Sequence, residues 1–385
     1  MGELKYRKAF DTLRSEILSG KYASWKSFPS IVATCTRFKI SRLTAVKALD
    51  KLKEEGLIST RVGAGTFVTK DARSRFIGLV VPGISYSSEF FQPIIAELVR
   101  VARSHDYTIV MDGVWSPKSD DNGREAIEVA ARLIKRRVAG VIYQPLEYSE
   151  NSEAINRRIL SAFSRADIPV VLLDGDIVPS PKRSDYDLVS IDNVAAGETL
   201  ATHLMGCGAR NIRFLMRANW VENVRNRARG VRNEVLANAL RWSPKSVVTV
   251  DPADASAIAK LMKSTPRPDA FVCENDVIAA GLMKTLDTLG YKVPDDVLIA
   301  GFDDIRVARL SSPGITTIRQ PCEGIARAAF DRLVARMSSR DLMPASIRLP
   351  HKLVVRGSTN GGLRRRLRTV HGTGRIISNR LAKAK

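Results

Sequence analysis

The chain has 385 residues, a hydrophobic fraction of 44% and a formal net charge of +21. This length and composition predict a globular protein of two or three domains with an ample core. The longest apolar runs are only as long as a β-strand, which excludes a membrane-spanning helix. The polar, amphipathic N-terminus lacks the apolar segment of a secretory signal, so we expect a cytoplasmic protein.

Positive charge is concentrated at the two ends of the chain. Residues 1–75 carry 16 Lys and Arg against 7 Asp and Glu, and residues 361–385 carry 8 Lys and Arg with no acidic residue. A basic N-terminal module is typical of a surface that binds phosphate groups. The four cysteines are far apart and have no metal-ligand spacing, so we expect reduced core thiols and no metal or other cofactor.

The N-terminal module contains three predicted helices. They cover residues 6–18, 31–38 and 42–55. Ser30 and Ser41 stand where the second and third helices need an N-cap, and Gly56 ends the third helix. This spacing places two short helices in immediate succession.

The third helix has one apolar and one basic face. The predicted inward residues are Val46, Leu49 and Leu52, and the predicted outward residues are Arg42, Thr44, Lys47 and Lys51. Two short helices, the second of them basic, have the geometry of a helix-turn-helix DNA reader. A basic stripe by itself is more often a solvated helix face, but the caps and the hairpin that follows favour DNA binding.

A β-hairpin is predicted over residues 57–68 (LISTRVGAGTFV). Gly63 and Gly65 permit a tight turn at its tip. Because glycine has no side chain, such a tip can bring the backbone close to phosphate or to the minor groove.

In chain order, FPS and then SRLTAVKALDKLKEEGLISTRVGAGTFV resemble the winged-helix domain of GntR-type bacterial regulators. The resemblance covers about residues 5–70 and implies DNA binding. The residues expected to contact DNA are Ser30, Arg37, Ser41, Arg42, Thr44, Lys47, Arg61 and Gly65. The family usually has Glu-Arg at the positions of Ile31 and Val32 and an Arg at Val46, so two customary arginines are absent.

From Phe76 the pattern changes to alternating strands and helices. Strands are predicted over residues 76–81, 107–112, 138–143, 168–173, 187–191, 211–216, 246–250, 269–273 and 297–301, and helices over 90–104, 122–136, 151–165, 194–206, 224–240, 253–263 and 276–289. This rhythm predicts doubly wound parallel sheets with helices on both faces. Two such series exceed one core, so we expect two lobes with a ligand cleft at the carboxyl ends of the strands.

The segments VSIDNVAAGETLATHLMGCGARNIRFL, FVCENDVIAAGLMKTLDTLGYKVPDDVLIAGFDD and SPGITTIRQPCEGIARAAFDRL resemble the effector domain of LacI/GalR-type regulators. The resemblance covers about residues 76–359. It implies a periplasmic-binding-protein-like type I fold with a small sugar-like effector between the lobes. The hinge helix that is usual in that family is missing here.

The resemblance also implies a set of effector-binding residues. The polar candidates are Asp174, Arg227, Asn275, Asp303 and Gln320, and the candidates for stacking on a sugar ring are Phe90, Phe91 and Trp220. Carboxylates accept hydrogen bonds from adjacent hydroxyls, and a guanidinium group donates in a rigid fork. Structural roles remain open for several residues: Phe90 and Phe91 fit a core equally well, Asp276 is expected as a helix cap, and His203 is expected to serve packing.

The predicted division of the chain follows from these two halves. It comprises a DNA-binding domain (residues 1–70), a linker (71–75), an effector domain (76–360) and a basic tail expected to be disordered (361–385). The first lobe is expected to take about residues 76–190 and 321–348, and the second about 191–320 and 349–360.

Together the halves predict a homodimeric, sequence-specific transcriptional regulator, a repressor in the favoured interpretation, with operator DNA and a sugar-like effector as partners. A non-sugar effector (a nucleobase, a phosphorylated sugar or a protein partner) and a sugar-binding protein without a regulatory role remain alternatives. An enzyme is disfavoured, because the sequence has no GxxxxGK[ST] motif, no strand–GxGxxG–helix fingerprint and no persuasive nucleophile–base set.

Overall fold

The computed structural model describes most of the chain. The described residues are 2–18, 22, 28–61, 64–69, 75–81, 89–112, 122–146, 151–217, 222–339 and 341–360. Four predictions fall outside them: Gly63 of the hairpin tip, residues 71–74 of the linker, Trp220, and the tail from residue 361 onwards. Within these ranges, no helix combines the length and apolar character that crossing a bilayer requires.

The N-terminal domain consists of three helices and a hairpin. They are α1 (Gly2–Leu18), α2 (Ile31–Phe38), α3 (Arg42–Glu54), β1 (Ile58–Arg61) and β2 (Gly65–Val68). The hairpin is antiparallel, with Ile58 opposite Val68 and Arg61 opposite Gly65. One apolar core joins all its parts: Leu13, Ile17, Phe28, Leu49, Leu52, Leu57, Ile58 and Val68. The predicted winged helix-turn-helix is therefore confirmed.

Both predicted helix caps are present. The Ser30 Oγ accepts a hydrogen bond from the Ala33 N–H at 3.2 Å, and the Ser41 Oγ accepts one from the Thr44 N–H at 3.2 Å. The predicted inward face of α3 needs one correction. Val46 is only half-buried, and the helix is buried along Ala45, Ala48, Leu49 and Leu52 instead. The 3.6-residue period explains the difference, because Ala45 and Ala48 align with Leu49 and Leu52, whereas Val46 lies to one side.

The larger domain begins with a parallel sheet. Its first elements are β3 (Phe76–Val80), α4 (Phe91–Ser104), β4 (Thr108–Val110), α5 (Asn122–Arg136), β5 (Gly140–Tyr143), α6 (Ser152–Arg165), β6 (Val170–Leu173) and β7 (Asp187–Ile191). A later strand, β13 (Ser346–Leu349), completes a six-stranded sheet in the order β13-β7-β6-β5-β3-β4, in which every pair is parallel. The inner strands β3, β5, β6 and β7 are largely buried on both faces, as a parallel sheet covered by helices requires, whereas the edge strands β4 and β13 are partly exposed.

A second sheet follows. Its elements are α7 (Asn193–Gly206), β8 (Ile212–Met216), α8 (Glu222–Ala237), β9 (Val247–Thr249), α9 (Ala255–Met262), β10 (Ala270–Cys273), α10 (Asp276–Thr288), β11 (Leu298–Phe302), α11 (Arg306–Leu310), β12 (Thr316–Arg319) and β14 (Lys352–Val354). The order is β14-β12-β11-β10-β8-β9, with β14 antiparallel to β12. The long helix α12 (Cys322–Ser338) returns to the first sheet and packs on α4.

The chain therefore crosses between the sheets three times, after β7, after β12 and after β13. These crossings define two lobes, and both six-stranded sheets point their carboxyl ends at the crossings β7–α7 and β12–α12. The predicted two-lobe α/β architecture is confirmed. The sequence prediction did not assign α11, β12, α12, β13 or β14, which lie in the last sixty residues of the described fold.

Helices α7 and α8 pack backbone to backbone through two glycines. A Cβ atom added to Gly197 would lie 2.1 Å from the Arg227 carbonyl oxygen, and one added to Gly230 would lie 1.9 Å from the Val194 carbonyl oxygen. Real Cβ atoms do not approach carbonyl oxygens so closely, so any side chain would force the helices apart. These two glycines therefore set the position of α8 and of every side chain that it carries.

This packing predicts that Gly230→Ala lowers the free energy of unfolding by about 1–3 kcal/mol, because an overpacked helix contact must open. Gly206→Ala is the matched control. A Cβ at Gly206, in α7, meets nothing within 4 Å, so this variant should equal or slightly exceed the wild type. Urea unfolding followed by circular dichroism measures both. Equal destabilisation of the two variants would contradict the backbone contact.

Candidate functional sites

Two aspartates lie directly after strands that belong to different sheets. Asp174 follows β6 of the first sheet, and Asp303 follows β11 of the second. Both have a positive φ, 68° at Asp174 and 99° at Asp303. Residues other than glycine adopt this conformation at a cost in free energy, and such strain concentrates at functional sites. The two carboxylates also interact, because Asp303 contributes to raising the pKa of Asp174.

Arg227 of α8 lies between these carboxylates and is 5% exposed. Its Nε donates to the Asn193 side-chain oxygen at 2.9 Å, and one of its terminal nitrogens donates to the Glu274 carbonyl oxygen at 2.8 Å. The other terminal nitrogen lies 3.7 Å from the Asp303 carboxylate. The guanidinium also stacks over the Phe302 ring, 4.4 Å from its centre. Arg227 is thus held in one orientation by four groups.

Asp174 is the most perturbed member of this cluster. Burial, only partly offset by the positive charge of Arg227, raises its pKa to about 6. The Asn223 amide of α8 donates to the Asp174 carbonyl oxygen at 3.0 Å, which ties the first lobe to the second. The carboxylate oxygen Oδ1 of Asp174 is buried and has no hydrogen-bond partner among the described residues. A buried acceptor left unpaired costs about 1–3 kcal/mol.

Two further side-chain oxygens are buried without a hydrogen-bond partner among the described residues. The Gln320 side chain, after β12, donates through Nε2 to Asp303 Oδ1 at 2.7 Å, while its Oε1 is buried and has no partner in the described part of the chain. The Gln144 Oε1, after β5, is buried and equally unpaired there. In the register of β5 with β6, Tyr143 lies opposite Leu172, so Gln144 and Asp174 stand at the same sheet edge. Three acceptors thus lie at strand ends without a donor.

The other predicted effector residues have structural roles. The Asn275 side chain accepts from the Ile278 N–H at 3.0 Å and therefore caps α10. The prediction that Asp276 is this cap is wrong. Its carboxylate is fully buried and accepts hydrogen bonds from the Thr317 hydroxyl at 2.6 Å and from the Ile305 N–H at 3.0 Å. Asn275 precedes the helix in extended backbone and so holds the cap position.

Phe90 and Phe91 belong to the core, the structural alternative. They are 7% and 6% exposed and pack edge to face, with ring centres 5.0 Å apart. The Phe90 carbonyl oxygen still approaches the polar cluster, because it lies 3.9 Å from the Cys322 thiol at the start of α12. Burial, together with the charge of Asp303, raises the pKa of that thiol to about 12.

Four members of the polar cluster were missed by sequence analysis. Gln144 follows the strand GVIY directly, a position that could have signalled it. Asn193 and Asn223 begin α7 and α8, and no sequence pattern distinguishes them from ordinary helix-start residues. Glu274 contributes its backbone carbonyl to Arg227, while its carboxylate is held by Arg217 at 2.5 Å. His203, expected to serve packing, is half-buried beside the Thr359 hydroxyl at 2.9 Å.

Six of the eight predicted DNA-contacting residues lie at α3 or on the hairpin. Arg42 and Lys47 are exposed on α3, and Arg42 has no ionic partner among the described residues. The Lys47 ammonium lies 5.0 Å from the centre of the Tyr6 ring. The Thr44 hydroxyl shares a hydrogen bond of 2.8 Å with Ser41. At the hairpin, Arg61 lies over the Phe67 ring and Gly65 has a φ of 105°, which favours glycine.

Arg37 has a different environment from the other predicted DNA contacts. It donates to both carboxylate oxygens of Glu16, at 2.7 and 2.5 Å, and to the Tyr22 hydroxyl at 3.1 Å. This pairing raises the pKa of the guanidinium and joins α2 to α1. Ser30 likewise serves as a cap, although a cap hydroxyl can still donate to phosphate. The structure therefore gives Arg37 an intradomain role.

Comparison with known proteins matches both domains. Residues 5–68 match the model of bacterial regulatory proteins of the gntR family, and residues 201–359 match the periplasmic binding protein-like domain. The arabinose metabolism transcriptional repressor of Geobacillus stearothermophilus is 26% identical over 92% of this chain and 97% of its own length. The ribose operon repressor of Halalkalibacterium halodurans is 27% identical over 75% of this chain and 81% of its own.

A solved structure agrees with the larger domain. The structure of a putative transcriptional regulator of the LacI family from Sanguibacter keddieii superposes with a TM-score of 0.59 and 28% identity, and it covers 75% of this chain and all of that one. The matches define a class of bacterial transcriptional regulators in which a DNA-binding domain precedes a ligand-binding fold. Within that class, this chain combines a domain that matches the gntR family with a periplasmic-binding-protein-like domain that is similar to the LacI-family structure.

Arg42→Ala is expected to weaken binding to specific DNA about tenfold and to lower the salt dependence of binding by one phosphate contact. The reason is that Arg42 is exposed at the start of the recognition helix. Arg309→Ala, on exposed α11 of the larger domain, removes the same charge elsewhere. Fluorescence anisotropy at several salt concentrations compares them. An unchanged affinity for Arg42→Ala, or an equal loss in both variants, would contradict this placement of the interface.

Proposed function

We propose that the protein is a homodimeric transcriptional repressor whose operator binding is relieved by a small neutral sugar bound between the lobes. The observation that carries this proposal is a set of three buried side-chain oxygens, of Gln144, Asp174 and Gln320, that have no hydrogen-bond partner among the described residues and lie at strand ends near the fixed Arg227. A site of this composition requires a ligand that donates several hydrogen bonds at fixed separations.

The charges of the cluster favour a neutral ligand. Asp174 and Asp303 bring two carboxylates, and Arg227 brings one positive charge that already has four partners. A phosphate or carboxylate group would add negative charge beside two acidic side chains that are balanced by the single positive charge of Arg227. A polyol supplies hydroxyl donors without adding charge, and its hydroxyls can accept as well as donate. The names of the relatives that act on arabinose and ribose operons support this class of effector.

Contacts between the lobes support a coupling between the cleft and the DNA. Besides the bond from Asn223 to Asp174, the Glu222 carboxylate accepts from the Ser180 N–H at 3.0 Å, and Arg229 donates to the Ser180 hydroxyl at 3.0 Å. On the opposite side, Glu89 accepts from the Arg306 N–H at 3.2 Å. A ligand that adds bonds to both lobes stabilises one relative arrangement of them. That differential affinity is what control of DNA binding requires.

Each protomer of the proposed dimer places α3 in the major groove of one half-site, and the hairpin contacts the backbone or the minor groove. Binding to DNA is then expected to weaken steeply with salt, because exposed Lys and Arg release counterions from phosphate. This arrangement uses the basic first 75 residues, which carry a net charge of +9.

Fluorescence anisotropy tests the proposal on DNA taken from upstream of the protein's own gene. The panel comprises neutral pentoses and hexoses, their phosphates, uronic acids and nucleobases, each at low and high salt. Tight, salt-sensitive binding that one neutral sugar releases supports the proposal. Release by a phosphate ester or a nucleobase would overturn the neutral-sugar assignment, and binding that no member of the panel changes would overturn the regulatory one.

The ionisation of Asp174 predicts the pH dependence of effector binding. Because the pKa of Asp174 is raised to about 6 and hydroxyl donors bind its ionised form, sugar affinity falls as the pH is lowered through 6, by up to about tenfold per pH unit. Asp174→Asn should bind the sugar at least tenfold more weakly at pH 7.5 and lose this pH dependence. Exposed Asp295→Asn is the control and should retain both properties. Calorimetric titration at pH 5, 6 and 7.5 measures them.

The same raised pKa predicts a gain of stability in the ligand-free protein. A carboxylic acid whose pKa is raised on folding from 3.8 to about 6 costs stability that accumulates as the pH rises between these two values and is complete above about pH 6. Asp174→Asn is therefore expected to increase the free energy of unfolding at pH 7.5, and the difference from the wild type should shrink as the pH falls towards 4. Thermal unfolding over this pH range measures the effect. A variant less stable than the wild type at pH 7.5 would contradict a net cost of burying the ionised Asp174 carboxylate.

A further inference from the structure

The recognition helix exposes a large apolar side chain at the position where a DNA reader meets the bases. Leu43, the second residue of α3, is 82% exposed. Lys47 follows it by one helical turn, so the two side chains share the stripe that points directly away from the buried residues Ala45, Leu49 and Leu52. Arg42 precedes Leu43 by one residue in the first turn, about 100° around the helix from it. An apolar side chain in this position contributes nothing to the core of the domain.

The charge along this stripe limits which part of the helix can approach DNA. Arg42 and Lys47 occupy the first half of α3, whereas Asp50 and Glu54 follow on the same outward stripe in the second half. Glu54 is paired with Lys51 at 3.0 Å, whereas Arg42 and Lys47 have no carboxylate partner among the described residues, so the N-terminal turn and a half is the part of the helix whose cations are available to phosphate. Leu43 is the one residue of that stretch, within the described helix, that is both apolar and fully outward.

We propose that Leu43 is a specificity-determining residue that contacts the C5-methyl group of a thymine in each half-site. The methyl group is the apolar feature that base pairs present in the major groove, and side chains near the start of a recognition helix reach base edges there. Flanking Arg42 and Lys47 favour DNA as the occupant over an apolar protein surface, because a protein partner would leave both cations to be desolvated. The proposal rests on the proposed DNA-binding function.

In vitro selection from a random duplex library with the full-length protein tests this assignment. The wild type should select a pseudo-palindrome that has a thymine at one fixed position of each half-site. Leu43→Ala should lose the preference for thymine at that position and keep the preferences at all other positions. Replacing that thymine by deoxyuridine removes only the methyl group. It should weaken wild-type binding about five- to tenfold and leave Leu43→Ala unaffected.

Leu310→Ala is the matched control, since Leu310 is likewise an unpacked leucine, 69% exposed, but lies on α11 of the larger domain. It should select the wild-type sequence. Because Leu43 touches no core residue, Leu43→Ala should unfold at the wild-type temperature. Two results would overturn the proposal for Leu43 and leave the proposed function standing. One is that Leu43→Ala selects the same sequence as the wild type, and the other is that Leu43→Ala changes its oligomeric state but keeps its DNA preference. No enriched sequence with the wild type would overturn the proposed function itself.

Discussion

The buried guanidinium of Arg227 is the interaction on which the candidate site depends. A charge with 5% exposure is tolerated only when it is paired and hydrogen-bonded, and here the side chain of Asn193, the backbone of Glu274, the carboxylate of Asp303 and the ring of Phe302 provide the partners. These groups come from α7 and from the ends of β10 and β11. One side chain thereby fixes the geometry of three elements at the carboxyl edge of the second sheet.

The same geometry requires the close contact of α7 and α8. The carbonyl oxygen of Arg227 lies where any side chain at Gly197 would be, so the backbone position of the arginine is set by helix packing rather than by its charge. The first lobe then adds Asp174, whose pKa is raised by burial, only partly offset by the charge of Arg227, and whose carboxylate oxygen Oδ1 has no hydrogen-bond partner among the described residues. In the second lobe the position of Arg227 is fixed, whereas in the first lobe the Asp174 oxygen still needs a hydrogen-bond donor. A ligand that supplies this donor would bind both lobes and so change their relative arrangement.

Sequence patterns predicted most of the fold, because periodicity reports burial. Each strand and helix predicted between residues 76 and 301 is present within a few residues, and the caps Ser30 and Ser41 have the expected hydrogen bonds. Elements after residue 301 could not be assigned in this way. The lobe to which each of these elements belongs is decided by where the chain crosses between the sheets. The strands β13 and β14 also pair with β7 and β12, which are distant from them in sequence.

Chain position by itself could indicate site residues only where a polar residue stands at the end of a strand. Asp174, Asp303 and Gln320 end strands, and the structure joins them around Arg227. Asn275 also follows a strand, but its side chain forms the N-cap of α10. The sequence does not reveal which of the neighbours Asn275 and Asp276 caps the helix, because both residue types are common caps. Arg37 was expected at the DNA, yet the partner that holds it, Glu16, is 21 residues away in another helix. Pairings of this kind follow from tertiary packing and leave no local signal.

The central claim is that the cleft and the DNA-binding domain share one conformational equilibrium. Thermodynamic linkage tests it most directly, through calorimetric titration of the releasing sugar into the free protein and into its complex with specific DNA. If the claim is right, bound DNA weakens sugar affinity by the same factor by which saturating sugar weakens DNA affinity. Equal sugar affinity with and without DNA would contradict it, because the cleft would then be a binding site without influence on the DNA-binding domain.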